Sequence, residues 1–147
     1  MNYQRDAEEL LNTVLKEKFF FPTEQTNQML KGEKAILVFL FSQNEKILAG
    51  KLSEELKVST ARIAFILNNL ESKKLITRDI DKEDKRKVWV SITESGSKEI
   101  SLMKEEMVGC LAAVIKELGI DKLKEHVELM KKIKEIMEKE NSKRRKE

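Results

Sequence analysis

The sequence predicts a mostly α-helical fold with one small β-hairpin. Composition is the first indication, because 37% of the 147 residues are charged and 40% are hydrophobic, with only five Gly and one Pro. Such a composition favours helices. The spacing of apolar residues is the second indication, since it is helical along most of the chain and alternates in the two segments 75–80 and 87–93. The length suits one domain or a compact pair of subdomains.

Apolar periodicity places the helices. They are predicted at about 2–18, 32–42, 48–57, 59–75, 94–118 and 121–139, with Asp121 as the cap of the last. Pro22 ends any first helix at or before Phe21. The run AILVFLF (35–41) is apolar nearly all round, so the second helix should be the most buried element.

The middle of the chain has the pattern of a helix-turn-helix followed by a wing. A short helix ends near Lys57, and after a tight turn the stretch 59–75 places four apolar residues on one face: Ile63, Ile66, Leu67 and Leu70. Ser59 or Thr60 is the expected N-cap. LITRDI (75–80) and KVWVSIT (87–93) then alternate around the charged tip DKEDKR, which predicts a β-hairpin.

Four segments are therefore expected. They are an N-terminal dimerisation helix and linker (1–30), a winged helix-turn-helix domain (31–95), C-terminal dimerisation helices (96–140) and a basic, disordered tail (141–147). The outer helices are long and amphipathic and have no obvious partner in so small a core. Two copies of the chain would bury those faces in a homodimer.

Charge along the chain indicates a polyanion partner. Residues 57–90 carry nine Lys and Arg against five Asp and Glu, and residues 139–147 carry five against two, whereas the whole chain has a net charge of only +3. The alternative is that these charges are simply solvated surface.

Several classes of protein are disfavoured by what the sequence lacks. One cysteine leaves no internal disulfide, and neither a signal-peptide pattern nor an apolar run of the roughly 20 residues that span a bilayer is present. We therefore expect a soluble cytoplasmic protein. Cys110 lies in the apolar stretch MVGCLAAVI and is expected to be an inert, packed thiol. His126 is expected at a surface or half-buried position rather than in a metal site, and no enzyme, metal or cofactor is expected.

These residues resemble the MarR family of bacterial transcriptional regulators over nearly the whole chain. LSEELKVSTARIAFILNNLESKKLITR (52–78) matches its helix-turn-helix. DKRKVWVSITESG (84–96) matches its wing signature through Asp84, Arg86, Ile92, Thr93 and Gly96. Family members usually carry Gly at the turns before and after the recognition helix, where this chain has Lys57 and Lys74. If those turns are left-handed, each lysine costs roughly 1 kcal/mol relative to Gly.

Double-stranded DNA is the expected partner, read in the major groove by the second helix of the helix-turn-helix. The candidate contacts on that helix are Ser59, Thr60, Ala61, Arg62, Phe65, Asn68 and Asn69. Ser59 and Thr60 are expected at phosphates, whereas Arg62 would contact either a guanine or a phosphate. With two-fold symmetry, the site should be roughly palindromic, with half-sites about one helical turn apart.

Phe65 lies almost opposite the apolar stripe of its helix, on the side expected to be polar. One interpretation is that its ring packs against thymine methyl groups in the groove. The alternatives are an isolated exposed apolar residue of no special role, or a ring packed on a neighbouring turn or on the wing.

In the wing, Arg86 resembles the family arginine that enters the minor groove, where negative potential is concentrated. Asp84 would orient that arginine or brace the turn, and the alternative is a surface ion pair of little effect. Lys82, Lys85 and Lys87 are expected to make general electrostatic contacts, and Arg78 is a further candidate for contact with the DNA backbone.

The resemblance also implies a small aromatic or amphipathic effector that releases a repressor from its operator. Candidate pocket residues are Phe19, Phe20, Phe21 and Met29, although dimer-interface packing is the alternative for each. The rival function is a winged-helix module that binds protein without specific DNA binding. Phe65 and the modest charge of its helix favour that rival, whereas Arg86 and its flanking lysines favour DNA.

Overall fold

The computed structural model describes residues 2–17 and 32–145. Within these ranges the chain forms six helices and three strands, which confirms a mostly helical fold with a small β wing. In chain order they are α1 (Tyr3–Glu17), α2 (Gly32–Gln43), β1 (Ile47–Leu48), α3 (Ala49–Leu56), α4 (Thr60–Ser72), β2 (Ile76–Ile80), β3 (Val88–Ile92), α5 (Glu94–Leu118) and α6 (Ile120–Arg144). The effector-pocket candidates Phe19, Phe20, Phe21 and Met29 lie outside the described residues.

The described residues divide into two compact units. One contains α1 and residues 105–145, and the other contains residues 32–104, so α5 contributes to both. The second unit holds the helix-turn-helix, which is α3 and α4, together with the wing, which is β2, β3 and the loop between them.

Helix α2 is the most buried helix of the winged unit, as its composition predicts. Ile36, Leu37 and Leu40 are at most 1% exposed, because a helix that is apolar nearly all round must be surrounded by other elements. The rest of this core comes from every neighbouring element, through Ile47, Leu52, Ile63, Ile66, Leu67, Leu70, Ile76, Val90 and Ile100.

The sheet has three antiparallel strands in the order β1-β3-β2. The predicted hairpin is confirmed, with Ile76 opposite Ile92 and Ile80 opposite Val88. Strand β1 differs from the prediction, because Ile47 and Leu48 pair with β3 instead of beginning the short helix. A two-residue strand has no alternation to detect, and its partner lies some forty residues away in sequence.

In the other unit, α1 packs against α6. Buried residues of α1 are Ala7, Leu10, Leu11 and Val14, those of α5 are Met107, Val108, Leu111, Ala112 and Ile115, and those of α6 are Leu123 and Val127. No helix of the described ranges has both the length and the apolar content needed to cross a bilayer.

Helix α6 begins and ends differently from the prediction. Its N-cap is Gly119, without a side-chain hydrogen bond, and Asp121 lies in the first turn. It also continues to Arg144, five residues beyond the predicted end at about Lys139. Lys143 and Arg144 lie in the last turn, where positive charge interacts favourably with the helix dipole. Lys143 also pairs with Glu140 at 2.7 Å.

Cys110 is exposed, so the prediction of a packed thiol is wrong. Helical geometry explains the difference, because Met107, Val108 and Leu111 occupy the buried face of α5 and leave position 110 on the other side. The apolar composition of the stretch does not show which side of the helix each residue occupies. His126 is exposed on α6, as predicted.

Candidate nucleic-acid interface

Helix α4 is fixed to the core along one face and exposed along the other. Ser59 is its N-cap, with a side-chain oxygen that accepts a hydrogen bond from the backbone N–H of Arg62 at 3.3 Å. The buried face consists of Ile63, Ile66, Leu67 and Leu70, as the periodicity predicts. The opposite face is therefore held in a defined direction by the packing of its own helix.

The structure places most of the predicted α4 contacts on this exposed face. Exposed residues are Ser59, Thr60, Ala61, Arg62, Phe65 and Asn68, whereas Asn69 is half-buried. Ala64 is exposed as well and was not among the candidates. Ala64 lies three residues after Ala61 and one before Phe65, and this helical spacing would have identified it as part of the exposed face.

Phe65 is 65% exposed. A ring packed on a neighbouring turn or on the wing would be largely covered, so the structure does not support that alternative. The other two interpretations remain, namely a contact with thymine methyl groups and an exposed apolar residue without a special role.

Two turns with the same backbone geometry enclose α4. Lys57 after α3 and Lys74 after α4 both have positive φ, of 51° and 60°. At the first turn, the N–H groups of Lys57 and Val58 donate to the carbonyls of Glu54 and Ser53. At the second, Lys74 and Leu75 donate to Glu71 and Leu70. Both are Schellman motifs in which lysine occupies the left-handed position usually taken by glycine.

The wing signature has a structural role at the second of these turns. The Thr93 hydroxyl donates to the Lys74 carbonyl at 2.8 Å and accepts from the Gly96 N–H at 3.1 Å, and the Thr93 N–H donates to the Leu75 carbonyl at 3.0 Å. A Cβ at Gly96 would lie 2.3 Å from the Leu75 carbonyl oxygen. Thr93 and Gly96 therefore fasten the end of the wing to the end of α4.

The wing tip is organised around two aspartates. Asp81 accepts hydrogen bonds from the Trp89 indole N–H at 2.8 Å and from the N–H groups of Glu83 and Asp84 at 2.9 Å each. The Trp89 bond first, and then the Asp84 and Glu83 bonds, lower the pKa of Asp81 from 3.8 to about 2. The carboxylate stays ionised and fixes the fold of the loop.

Asp84 is hydrogen-bonded to Arg86. Its carboxylate accepts from the Arg86 Nε at 3.1 Å and from the Arg86 backbone N–H at 3.1 Å, and these two bonds lower the pKa of Asp84. The Arg86 side chain is nevertheless 91% exposed. The guanidinium is thus restrained at its Nε while most of its surface faces solvent beside three further exposed cations, Lys82, Lys85 and Lys87.

Two ion pairs tie the C-terminal end of α4 to its neighbours. Glu71 accepts from the Arg78 Nε at 2.7 Å and also contacts a terminal nitrogen of the same guanidinium, while Lys73 pairs with Glu33 of α2 at 2.5 Å. Arg78 is half-buried, so this candidate for DNA-backbone contact is also used within the protein. Neither pair was foreseen, because their members are 7 and 40 residues apart.

Comparisons with known proteins agree with this architecture. Residues 33–111 match the family model described as a winged helix DNA-binding domain. An organic hydroperoxide resistance transcriptional regulator of Bacillus subtilis (strain 168) is 30% identical over 89 residues, which is 58% of this chain. The chain likewise spans only 58% of that relative's length.

Two solved structures have the same fold. A MarR family transcription regulator aligns with a TM-score of 0.69 at 20% identity, covering 76% of this chain and 73% of that chain. The DNA complex of MepR from S. aureus aligns with a TM-score of 0.57 at 20% identity, covering 71% of this chain and 77% of that one. The named relatives are regulators rather than enzymes.

Proposed function

The chain belongs to the winged helix DNA-binding domain family, and from that premise we propose that it is a regulator of the MarR type, which binds double-stranded DNA sequence-specifically to control transcription. The observation that carries this proposal is the wing tip. Arg86 is 91% exposed, is restrained by Asp84 and has three exposed lysines as near neighbours in sequence. Two of the three carboxylates among residues 81–87, Asp81 and Asp84, are bonded within the loop, which leaves Glu83 against four exposed cations that a polyanion would attract.

Helix α4 would enter the major groove. A helix with its side chains is about 10–12 Å across, and the groove is about 12 Å wide. The residues that the core leaves exposed, from Thr60 to Asn68, would then face base edges. The hydroxyls of Ser59 and Thr60 at the N-terminus of the helix would lie near phosphates.

Arg86 would enter the adjacent minor groove. The negative potential of the minor groove attracts a guanidinium. A side chain that Asp84 already restrains also has less conformational entropy to lose on binding. Lys82, Lys85 and Lys87 would neutralise phosphates and release counterions. Each such contact steepens the salt dependence of binding without adding sequence information.

We further propose that two copies act together as a homodimer on a pseudo-palindromic operator. Helix α6 exposes a second apolar stripe at helical spacing, consisting of Leu129, Ile133, Ile136 and Met137. Isolated exposed apolar residues are common, but a stripe of four on one helix favours a covering partner. Ile136→Glu should then shift sedimentation from dimer to monomer, whereas Glu135→Gln on the same helix should leave the dimer intact.

Control by a small effector, with repression released on binding, also belongs to the proposal. It rests on the family resemblance. A panel of amphipathic aromatic compounds that leaves operator binding unchanged would contradict this part alone.

Salt-dependent binding to duplex DNA tests the main proposal. The wild type should bind tightly at low ionic strength, with log Kd rising steeply with log salt, and Arg86→Ala should weaken binding and reduce that slope by about 1. Arg5→Ala is the matched control, because Arg5 is also exposed, at 74%, and paired with a carboxylate, Glu9. It should leave both quantities unchanged.

Two results would contradict the proposal. One is an absence of salt-sensitive binding by the wild type at low ionic strength, which would favour the protein-binding module. The other is an equal effect of Arg5→Ala and Arg86→Ala, which would reduce the role of the wing to its general charge.

A further inference from the structure

The exposed face of α4 carries three apolar side chains within its first two turns. Ala61, Ala64 and Phe65 follow the i, i+3, i+4 spacing of one helix face, all three are exposed, and the Phe65 ring is 65% exposed. We call these three residues the apolar patch. Their side chains contain no hydrogen-bond donor or acceptor, so the patch has no means of reading a polar base edge.

The flanks of the patch are positively charged. Lys57 stands at the turn before α4, Arg62 on its first turn and Lys74 just after its end, and all three are exposed, whereas Lys73 at that end is paired with Glu33. Acidic residues are sparse on the helix itself, where Glu71 is the one carboxylate and is paired with Arg78. An apolar patch on a helix with exposed cations near both ends complements a groove whose walls are phosphates.

The major groove offers one apolar group to such a patch, the C5 methyl of thymine. We propose that the apolar patch reads thymine methyl groups through the Phe65 ring, so that each operator half-site carries thymines opposite the first two turns of α4. This inference rests on the proposed DNA binding and specifies which bases are selected. Because both helix ends and the Glu71–Arg78 pair hold α4 in place, the ring is presented by a rigid element.

Uracil is the sharpest probe of this inference. Deoxyuridine forms the same base pair as thymidine and presents the same donors and acceptors, but lacks the C5 methyl. Sites are first selected from a random duplex pool with the full-length protein. The selected duplex is then synthesised with thymine or with uracil, and Kd is measured for both.

Each methyl group buried against the patch should contribute about fourfold in Kd, from the transfer free energy of one carbon group. The wild type should therefore bind the uracil duplex at least about fourfold more weakly. Phe65→Ala should bind the thymine duplex more weakly and bring the ratio of the two Kd values close to 1. Ile80→Thr is the matched control, because Ile80 is also 65% exposed but lies on the wing strand β2, and its ratio should equal that of the wild type.

The possible results distinguish a failure of thymine reading from a failure of the proposed DNA binding. Equal wild-type affinity for both duplexes, with tight and salt-sensitive binding retained, overturns thymine reading and leaves DNA binding intact. A ratio that persists in Phe65→Ala also overturns it, because another group then senses the methyl. If no duplex is bound at all, the proposed function fails and the inference fails with it.

Discussion

The turns at the two ends of α4 share one backbone geometry but are held in different ways. Lys57 and Lys74 both occupy the left-handed position of a Schellman motif. The first turn gains one side-chain bond, from the Ser53 hydroxyl to the Val58 carbonyl at 2.5 Å. The second receives Thr93 and Gly96 from the end of the wing. The wing is therefore anchored to the end of α4, and the Thr-x-x-Gly part of the signature is structural.

Gly96→Ala should break the second turn and have the largest effect. The new methyl group would meet the Leu75 carbonyl oxygen at 2.3 Å, and a backbone atom cannot move aside cheaply. We expect a loss of about 3 kcal/mol in the free energy of unfolding, measured by urea denaturation. Gly50→Ala in α3 is the control, because its Cβ position has no atom within 4 Å apart from its chain neighbours and the backbone of its own helix, and it should be neutral or stabilising. Equal effects would refute the close approach.

Removing one side-chain hydroxyl group from each turn compares how much the hydrogen bonds of Thr93 and Ser53 contribute to stability. Thr93→Val loses a donated and an accepted hydrogen bond and should cost about 2 kcal/mol, whereas Ser53→Ala loses one and should cost about 1 kcal/mol. Thr93→Ser keeps the hydroxyl and should recover most of the loss. If Ser53→Ala proves as costly as Thr93→Val in the same denaturation series, the two turns are anchored equally.

Relieving the left-handed lysines should stabilise the protein. Lys57→Gly and Lys74→Gly each remove a Cβ from the left-handed region, and part of that gain is offset by the flexibility of glycine in the unfolded chain. We expect a gain of up to about 1 kcal/mol from each in thermal or urea unfolding. The matched Lys→Ala variants remove the same charge and keep the Cβ, so a similar gain from them would assign the effect to charge.

The smallest effect at neutral pH concerns a third turn, at the wing tip. Because the folded-state pKa of Asp81 is lowered from 3.8 to about 2, its ionised form stabilises the loop above about pH 4. That contribution is lost as the pH falls through about 2. The indole N–H resonance of Trp89, the single tryptophan, should follow this titration. In Asp81→Asn the resonance should show no such transition, and a transition that persisted there would belong to another group.

Local patterns in the sequence predicted most of the fold. Helix α2, the buried stripe of α4 and the hairpin each repeat with a period that a short stretch reveals. Strand β1 escaped prediction because two residues have no period and their partner strand is distant. Helix α6 runs beyond Lys139 because i, i+3 pairing and dipole interactions sustain a polar helix without an apolar stripe.

The candidate interface was predictable to the same degree. The exposed face of α4 follows from the position of its buried stripe, and Asp84 lies two residues from Arg86, so their contact is local. The Trp89–Asp81 bond and the Glu71–Arg78 pair depend instead on strand register and on how α4 meets β2. The left-handed backbone conformation of Lys57 and Lys74 could be predicted only conditionally, because these two positions lack the glycine that the family usually has there.

Protection of DNA from methylation in each groove is the most direct test of whether α4 occupies the major groove and the wing occupies the minor groove. Dimethyl sulfate modifies guanine N7 in the major groove and adenine N3 in the minor groove of one duplex. The wild type should protect both in adjacent parts of each half-site, and Arg86→Ala should lose the adenine N3 protection alone. Binding without groove-specific protection, or an unchanged pattern in Arg86→Ala, would contradict this placement of α4 and the wing.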